Sequence, residues 1–288
     1  MGFIGQYVIE CLQANGHTPV TLDNRQHAHP CEAFFGDIRD DVAVTEAMAH
    51  VEGFIHLAAV LGTQETIQNP RPAAHTNIIG GLNILEGAAQ YGIPGVYIGV
   101  GNHWMQNTYS ITKTCVERFI AMYNKERGTG INIVRAVNAY GPRQLAAAPY
   151  GPGRVRKITP AFICRALANA PIEIYGDGEQ VSDMVYVEDV AKALVLALAH
   201  TARGDVFDKA IEVGPDIHHT VNEVAELIID LAESKSEIVH LPMRPGEIPG
   251  STVVADTSTL AMIGMNAKVL IPVELGMTRT VKYFAQAG

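Results

Sequence analysis

Cysteine is scarce in this 288-residue chain, and the four present (Cys11, Cys31, Cys115 and Cys164) stand far apart with no Cys-x-x-Cys pair. That spacing excludes a disulfide framework and the usual ligand pattern of a structural zinc site, and it suits a reducing cytoplasm. Basic clusters are missing too: 21 Lys and Arg face 30 Asp and Glu, for a net charge of −9. Such a chain carries no electrostatic footprint for nucleic acid or an anionic membrane. The longest apolar run, around residues 193–199, falls far short of the roughly 20 residues a membrane-spanning helix needs. No basic segment followed by an apolar one opens the chain, and repeats and low-complexity tracts are absent. The expectation is a cytoplasmic protein with neither nucleic-acid nor membrane partners and no metal.

What the sequence does have is an alternation. Thr18-Pro-Val-Thr-Leu-Asp23, Gly53-Phe-Ile-His-Leu-Ala58, Gly95-Val-Tyr-Ile-Gly-Val100 and Ile131-Asn-Ile-Val-Arg135 read as strands, apolar and partly β-branched. Residues 6–15, 42–50, 78–91 and 110–126 between them read as helices, two of them stopped by Gly16 and Gly92. Near-continuous apolar strands separated by helices predict an α/β fold, a doubly wound parallel sheet. After Tyr140-Gly-Pro142 the pattern changes. A Gly/Pro/Ala loop precedes a helix over 158–170 and a strand over 172–175. Residues 183–187 then read as a strand and 187–200 as a helix returning to the main sheet. A further helix over 221–233, a strand over 237–241 and a last helix over 273–285 follow. The predicted division is one domain of residues 1–142 plus about 183–214, and a smaller, interleaved one of about 143–182 plus 215–288.

Met1-Gly-Phe-Ile-Gly5 runs straight into the first helix. Gly2 and Gly5, with Phe3 and Ile4 between them, match the last two glycines of a dinucleotide-binding turn. There one glycine admits a pyrophosphate to the helix N-terminus and the other allows close helix–strand packing. Asp23 ends the next strand about 20 residues on, where a carboxylate accepts both ribose hydroxyls, with Asn24 beside it. A carboxylate there repels a 2′-phosphate, so the cofactor expected is NAD and the first domain is its Rossmann domain. A strand normally leads into such a turn. The sequence begins within the turn, so the sheet is expected to lack its first strand.

Tyr109 and Lys113 stand four apart at the head of a helix, on one face. A phenol is a poor base at neutral pH, but a nearby ammonium and a positive nicotinamide favour the phenolate. Tyr109 could then take a proton from a sugar hydroxyl as hydride leaves for the cofactor. With Asn77-Ile-Ile-Gly-Gly-Leu-Asn-Ile-Leu-Glu86, Arg135-Ala-Val-Asn-Ala-Tyr-Gly-Pro142, Tyr175-Gly-Asp-Gly178, Asp183-Met-Val-Tyr-Val-Glu-Asp-Val190 and Arg244-Pro-Gly-Glu247, the chain resembles the extended short-chain dehydrogenase/reductases, the nucleotide-sugar epimerase/dehydratase family. The resemblance spans nearly the whole chain. It implies that Asp37 and Ile38 flank the adenine and that Leu57, Ala58, Ala59 and Asn77 line the cofactor. It further implies that Lys113 also bonds the nicotinamide ribose, and that Asn138 and Arg244 hold the phosphates of a nucleotide-sugar substrate.

The chain departs from the family at several places. Gly101 falls where a Ser or Thr usually bonds the reacting hydroxyl; Asn102, His103, Thr108 and Ser110 are the candidates to replace it. Asn102-His103 offers no carboxylate where the 4,6-dehydratases carry Asp-Glu, and the segment from Gly101 to Tyr109 is short. Ser182 stands where many relatives place an arginine for the diphosphate, leaving Arg154, Arg156 or Lys157 to compensate, with Arg156 carried as the substrate residue. His27-x-His29-x-Cys31 has metal-ligand types on one face but no apparent fourth ligand, and is assigned to a loop beside the adenosine. The function expected is an NAD-dependent 4-epimerase of a nucleotide sugar, with UDP-sugars favoured. The alternatives are a dehydratase or reductase of the same family, and an N-terminally truncated, catalytically impaired binding or dimerising relative. A homodimer through the helices over 78–91 and 110–126 is implied by the resemblance.

Overall fold

A computed structural model of the chain describes residues 1–25 and 31–287. The first half runs through helix α1 (Phe3–Ala14), strands β1 (Val20–Asp23) and β2 (Glu32–Phe35), α2 (Asp41–Met48), β3 (Phe54–His56), α3 (Pro70–Ala74), α4 (Gly80–Tyr91), β4 (Gly95–Ile98), α5 (Thr108–Arg127), β5 (Ile131–Ala136) and β6 (Ala139–Tyr140). The second half carries α6 (Ile158–Leu167), β7 (Ile172–Tyr175), β8 (Val181–Ser182), β9 (Val185–Tyr186), α7 (Val187–Ala202), β10 (Ile211–Val213), α8 (Val221–Leu231), β11 (Ile238–Leu241), β12 (Thr252–Val253) and α9 (Val273–Ala287). His27 and His29 lie outside the described residues. Among those described, no three His, Cys, Asp or Glu side chains gather as a metal site, and no helix is long and apolar enough to cross a membrane.

Strands β3, β4, β5 and β10 form one parallel sheet in the order β3–β4–β5–β10. Alternation along β4 sends its side chains to opposite layers. Val96 joins Tyr7, Val8, Val134, Val190 and Leu194 in the core under α1 and α7. Tyr97 joins Leu85, Val116, Ile120 and Tyr123 in the core under α4 and α5. Helices therefore cover both faces, as the apolar strands require. Strand β1 pairs in parallel with β2 as a separate two-stranded sheet. The expected doubly wound sheet thus comes in two parallel pieces, and one cavity is lined by Leu22 of β1 and Ile55 of β3. A second apolar core, with Phe162, Ile163, Ile172, Ile174, Ile228 and Met277 at its centre, unites α6, β7, α8 and α9.

The helix expected over 78–91 begins earlier. Pro70 opens α3 in the first turn, where its missing N–H costs nothing. A π-helical turn (His75–Ile79) then joins α3 to α4 without a break. Gly92 and Gly128 end α4 and α5 with φ of 65° and 67°, the left-handed conformation that glycine adopts without strain. The helix expected over 158–170 stops at Leu167, and Asn169 turns the chain at φ 50°.

Glycine at position 95 is dictated by its neighbour across the sheet. Phe54 is its register partner, and a β-carbon there would lie 2.1 Å from Phe54 Cε1. Gly95→Ala forces the ring out of a packed layer and is expected to cost about 1–3 kcal/mol. The check is the urea midpoint at unchanged slope; an unaltered midpoint would show that the ring has room to move.

Candidate active site

A single cavity of about 2150 Å³ runs from the start of α1, past the ends of β1 and β3, to the loops around α6 and residues 243–253. Gly2 caps α1 in an extended conformation (φ −84°, ψ 174°) with no side-chain cap, and open space lies where a β-carbon would stand. The positive end of α1 therefore meets the cavity with its first N–H groups uncapped by any side chain, a place that fits an anion. Gly2, Phe3, Ile4 and Gly5 all line it, and a β-carbon on Gly5 would come within 3.8 Å of Leu57 Cδ1. Asp23, at the end of β1, accepts the Arg25 N–H at 2.9 Å and lies 3.3 Å from the amino group of Met1.

Asp37 accepts the Arg39 guanidinium at 2.9 and 2.8 Å, and that fork holds its carboxyl well below the usual range. Asn24 donates its amide to the same carboxylate at 3.0 Å, which fixes the rim beside buried Ile38. Leu57, Ala58 and Ala59 line the cavity after β3.

Asn77 does not line the cavity. It sits in the π turn, 1% exposed, with its amide fully engaged. Oδ1 accepts the Val60 N–H at 2.7 Å, while Nδ2 donates to the Val60 carbonyl at 3.1 Å and to Thr112 Oγ1 at 2.9 Å. Its place is to clamp the loop after β3 onto α5.

Asn107 caps α5, accepting the Ser110 N–H at 2.9 Å, and so aims the first turn at the cavity. Tyr109 lines the cavity there, and burial pushes its phenol up to about 12. Lys113 lies one turn deeper, 1% exposed, its ammonium 4.0 Å from the centre of the Tyr97 ring. Burial pulls it down to about 7, against the opposing pull of Glu117. His56 packs on the same side, its ring 5.5 Å from that of Tyr97, and burial with Lys113 nearby holds it down to about 3, a neutral imidazole.

Of Gly101, Asn102 and His103, in the loop after β4, the first two line the cavity. A β-carbon at 101 would lie 2.6 Å from Val137 Cγ2, so packing demands glycine where a hydroxyl residue was looked for. Asn102 accepts the Ser110 hydroxyl at 3.3 Å. His103 is not a lining residue; burial, then Arg135, lowers its proton affinity, and its carbonyl accepts from Thr114 at 3.2 Å.

On the far side, Asn138 donates to Ser182, and both line the cavity. Arg156 is engaged: it donates to the Tyr175 hydroxyl at 2.9 Å and to Glu173 at 2.8 Å. Arg244 pairs with Glu247 and lies 4.8 Å from the Tyr175 ring centre, with its Nε buried and unbonded. Lys157, at the head of α6, lines the cavity with its proton affinity lowered by burial, with Glu65 opposing and Arg244 adding to the effect. Arg154, Arg156, Lys157 and Arg244 all line the cavity that Ser182 lines without charge. Lys157 is less engaged than Arg156 or Arg244, a distinction no sequence pattern could make.

A parallel sheet, an uncapped helix N-terminus and a tyrosine opening on one cavity, with Lys113 buried one helical turn on, are the features of a dinucleotide-dependent enzyme. The chain belongs to the NAD-dependent epimerase/dehydratase family, whose sequence profile matches residues 1–214. A Methanocaldococcus jannaschii protein provisionally named UDP-glucose 4-epimerase is 31% identical over 271 residues, covering 86% of this chain and 85% of its own length. The UDP-N-acetyl-alpha-D-glucosaminuronate decarboxylase of Bacillus cytotoxicus is 28% identical over 270 residues, 84% of this chain and 81% of its own. Among solved structures, the UDP-glucose 4-epimerase of Thermotoga maritima with UDP-glucose superposes with a TM-score of 0.87 at 27% identity, over 99% of this chain and 96% of that one. The fold is Rossmann-type, and the protein is an NAD-dependent enzyme of this family.

The depressed proton affinity of Lys113 has a thermodynamic signature. Between about pH 7 and the ordinary lysine range, the unfolded chain holds a proton that the folded chain has released. Stability therefore rises with pH through that window. In Lys113→Met that contribution is absent. Its urea midpoint should exceed that of the parent most at the acid end, with the gap narrowing as pH climbs toward about 10. A gap independent of pH would refute the assigned state of Lys113.

Proposed function

We propose that the protein interconverts UDP-sugars epimeric at C4, with Tyr109 as the base and acid at the C4 hydroxyl. The observation that carries the proposal is that Tyr109 lines the same cavity as Gly2, Asn138, Lys157 and Arg244, with Lys113 one helical turn on from it. Gly2 to Gly5 and Asp23 hold the pyrophosphate and adenosine ribose of NAD, and Asp37, Ile38 and Leu57 to Ala59 line its remaining course. NAD, when bound, supplies a reversible two-electron acceptor, so oxidation at C4 is undone before release. Tyr109 receives the hydroxyl proton and returns it. A phenol at about 12 does this only when a cation stabilises its anion, and the Lys113 ammonium is the cation the chain provides. Asn102 is the side chain left to orient the reacting hydroxyl, in place of the Ser or Thr that packing at Gly101 forbids.

Substrate phosphates fall to Asn138, Lys157 and Arg244, with Arg156 held back by Glu173. The relatives named above favour a uridine nucleotide, and the absence of a carboxylate at Asn102-His103 disfavours dehydration. The decarboxylase among them makes UDP-uronates part of any substrate panel. Exposed Ile111 and Met122 on α5 and Tyr91 on α4 support pairing of these helices with a second copy. The unpaired cysteines support a cytoplasmic setting.

Incubation with UDP-glucose, UDP-galactose, their N-acetyl forms and UDP-uronates plus NAD, read by product NMR, should show C4 inversion without net reduction of NAD. Loss of water or of carbon dioxide would instead assign the other branches. Tyr109→Phe should lower turnover by about 10²–10⁴-fold with NAD still bound; retained turnover would sink the mechanism. Titration calorimetry with UDP should find Lys157→Met weakened by about tenfold or more and Arg156→Met much less; the reverse order would reassign the phosphate cation.

A further inference from the structure

Tyr109, Lys113 and Glu117 form a column on α5, each four residues after the last. Glu117 is 5% exposed and its carboxylate is fixed from two sides. Arg135 of β5 donates to both of its oxygens, at 3.2 and 2.5 Å, and reaches across to Glu212 of β10 at 3.0 Å. Gly99 makes room at the end of β4, for a β-carbon there would lie 2.2 Å from Glu117 Oε1. Tyr97, whose ring bears the Lys113 ammonium, donates its hydroxyl to the Lys113 carbonyl at 3.2 Å and pins this turn of the helix.

We propose that Glu117, locked by Arg135 over Gly99, is a positioning residue that anchors the ammonium form of Lys113 beneath Tyr109. The argument is one of charge balance. Two carboxylates, Glu117 and Glu212, share the single guanidinium of Arg135, so this trio, with Glu117 buried and its partners half-buried, carries one net negative charge. A protonated Lys113 brings the cluster to neutrality, and a neutral one leaves an uncompensated charge at the base of α5. The other titratable groups facing the cluster do not supply the missing positive charge. From β3 comes His56, held neutral, and from the loop after β4 comes His103, whose proton affinity is lowered; Tyr97 and Cys115 contribute none. Burial alone favours neutral Lys113, and Glu117 opposes it. Glu117 touches neither cofactor nor substrate; it acts through Lys113.

This inference rests on the role given above to Lys113, yet its test does not need turnover. The probe is the ¹³Cε chemical shift of Lys113 in ¹³C-lysine-labelled full-length protein, identified as the signal lost in Lys113→Arg and followed from pH 5 to about 10. In Glu117→Gln the midpoint should fall by about one pH unit, and in Glu117→Asp it should stay near that of the parent. Glu117→Gln leaves Arg135 without half of its neutralisation and could fail to fold. The triple variant Glu117→Gln/Arg135→Gln/Glu212→Gln removes that strain and leaves the cluster without charge, and its midpoint should fall likewise. In turnover, the basic limb of the pH profile should move down with the midpoint. A midpoint unchanged in either folded variant overturns the proposal. If the midpoint falls while the parent converts no nucleotide sugar, the anchor stands and the proposed reaction fails. If the parent epimerises and the midpoint does not move, the reverse holds.

Discussion

Every strand of the main sheet runs the same way, and that constraint organises the rest. In a parallel sheet the C-terminal ends of all strands lie on one edge, and each must be followed by a chain segment that turns into a helix. Asp23, Leu57 to Ala59, Gly101 with Asn102, and Asn138 are all residues that end a strand or follow one closely. Leu57 to Ala59, Gly101 with Asn102, and Asn138 share a cavity because β3, β4 and β5, which deliver them, are parallel, and Asp23 joins them from the separate β1–β2 pair. The helices that follow bring their N-terminal turns to the same edge, which is how Tyr109 arrives from α5 and Lys157 from α6.

That edge is polar, so its supports are buried polar groups rather than apolar contacts. Asn77 uses all its bonding capacity on Val60 and Thr112, which ties the loop after β3 to the helix bearing Tyr109. Buried polar groups left unpaired cost more than paired ones gain. The clamp therefore defines one geometry for the loop and penalises others. Glu117, Arg135 and Glu212 join α5 to β5 and β10 in the same manner. Two networks thus hold the first half of one helix, at Thr112 within the Tyr–Lys turn and at Glu117 one turn after it.

Much of this could be read from the chain. Tyr109 and Lys113 were legible because helical spacing alone puts them on one face. The strands were legible because parallel, doubly covered strands must be apolar on both sides. Orientation was not legible. His103 is next to Asn102 in sequence, yet one lines the cavity and the other does not, since a loop offers no periodicity from which direction can be inferred. Asn77 stands in a family motif, and only the fold reveals that it ties the Val60 backbone to the Thr112 hydroxyl. Arg156 and Lys157 are neighbours of equal charge. What separates them is Glu173, remote in sequence and brought close when β7 forms beside α6.

Gly101 shows how a departure from a family pattern acquires a physical cause. By sequence it looked like the loss of a reacting-hydroxyl partner. In the structure Val137 occupies the space that a β-carbon would take. Restoring a hydroxyl residue at 101 alone would drive the loop off Val137 before it could bond any substrate. The polar function has to come from a side chain that already faces the cavity, and Asn102, steadied by Ser110, is in that position. An amide presents both a donor and an acceptor. With its oxygen engaged by Ser110 and its amide nitrogen donating to Met105 Sδ at 3.4 Å, Asn102 has one N–H left to offer, rather than the interchangeable hydroxyl of Ser or Thr. In the proposed reaction, proton exchange at the sugar rests on Tyr109, and the Tyr109 anion on the charge of Lys113.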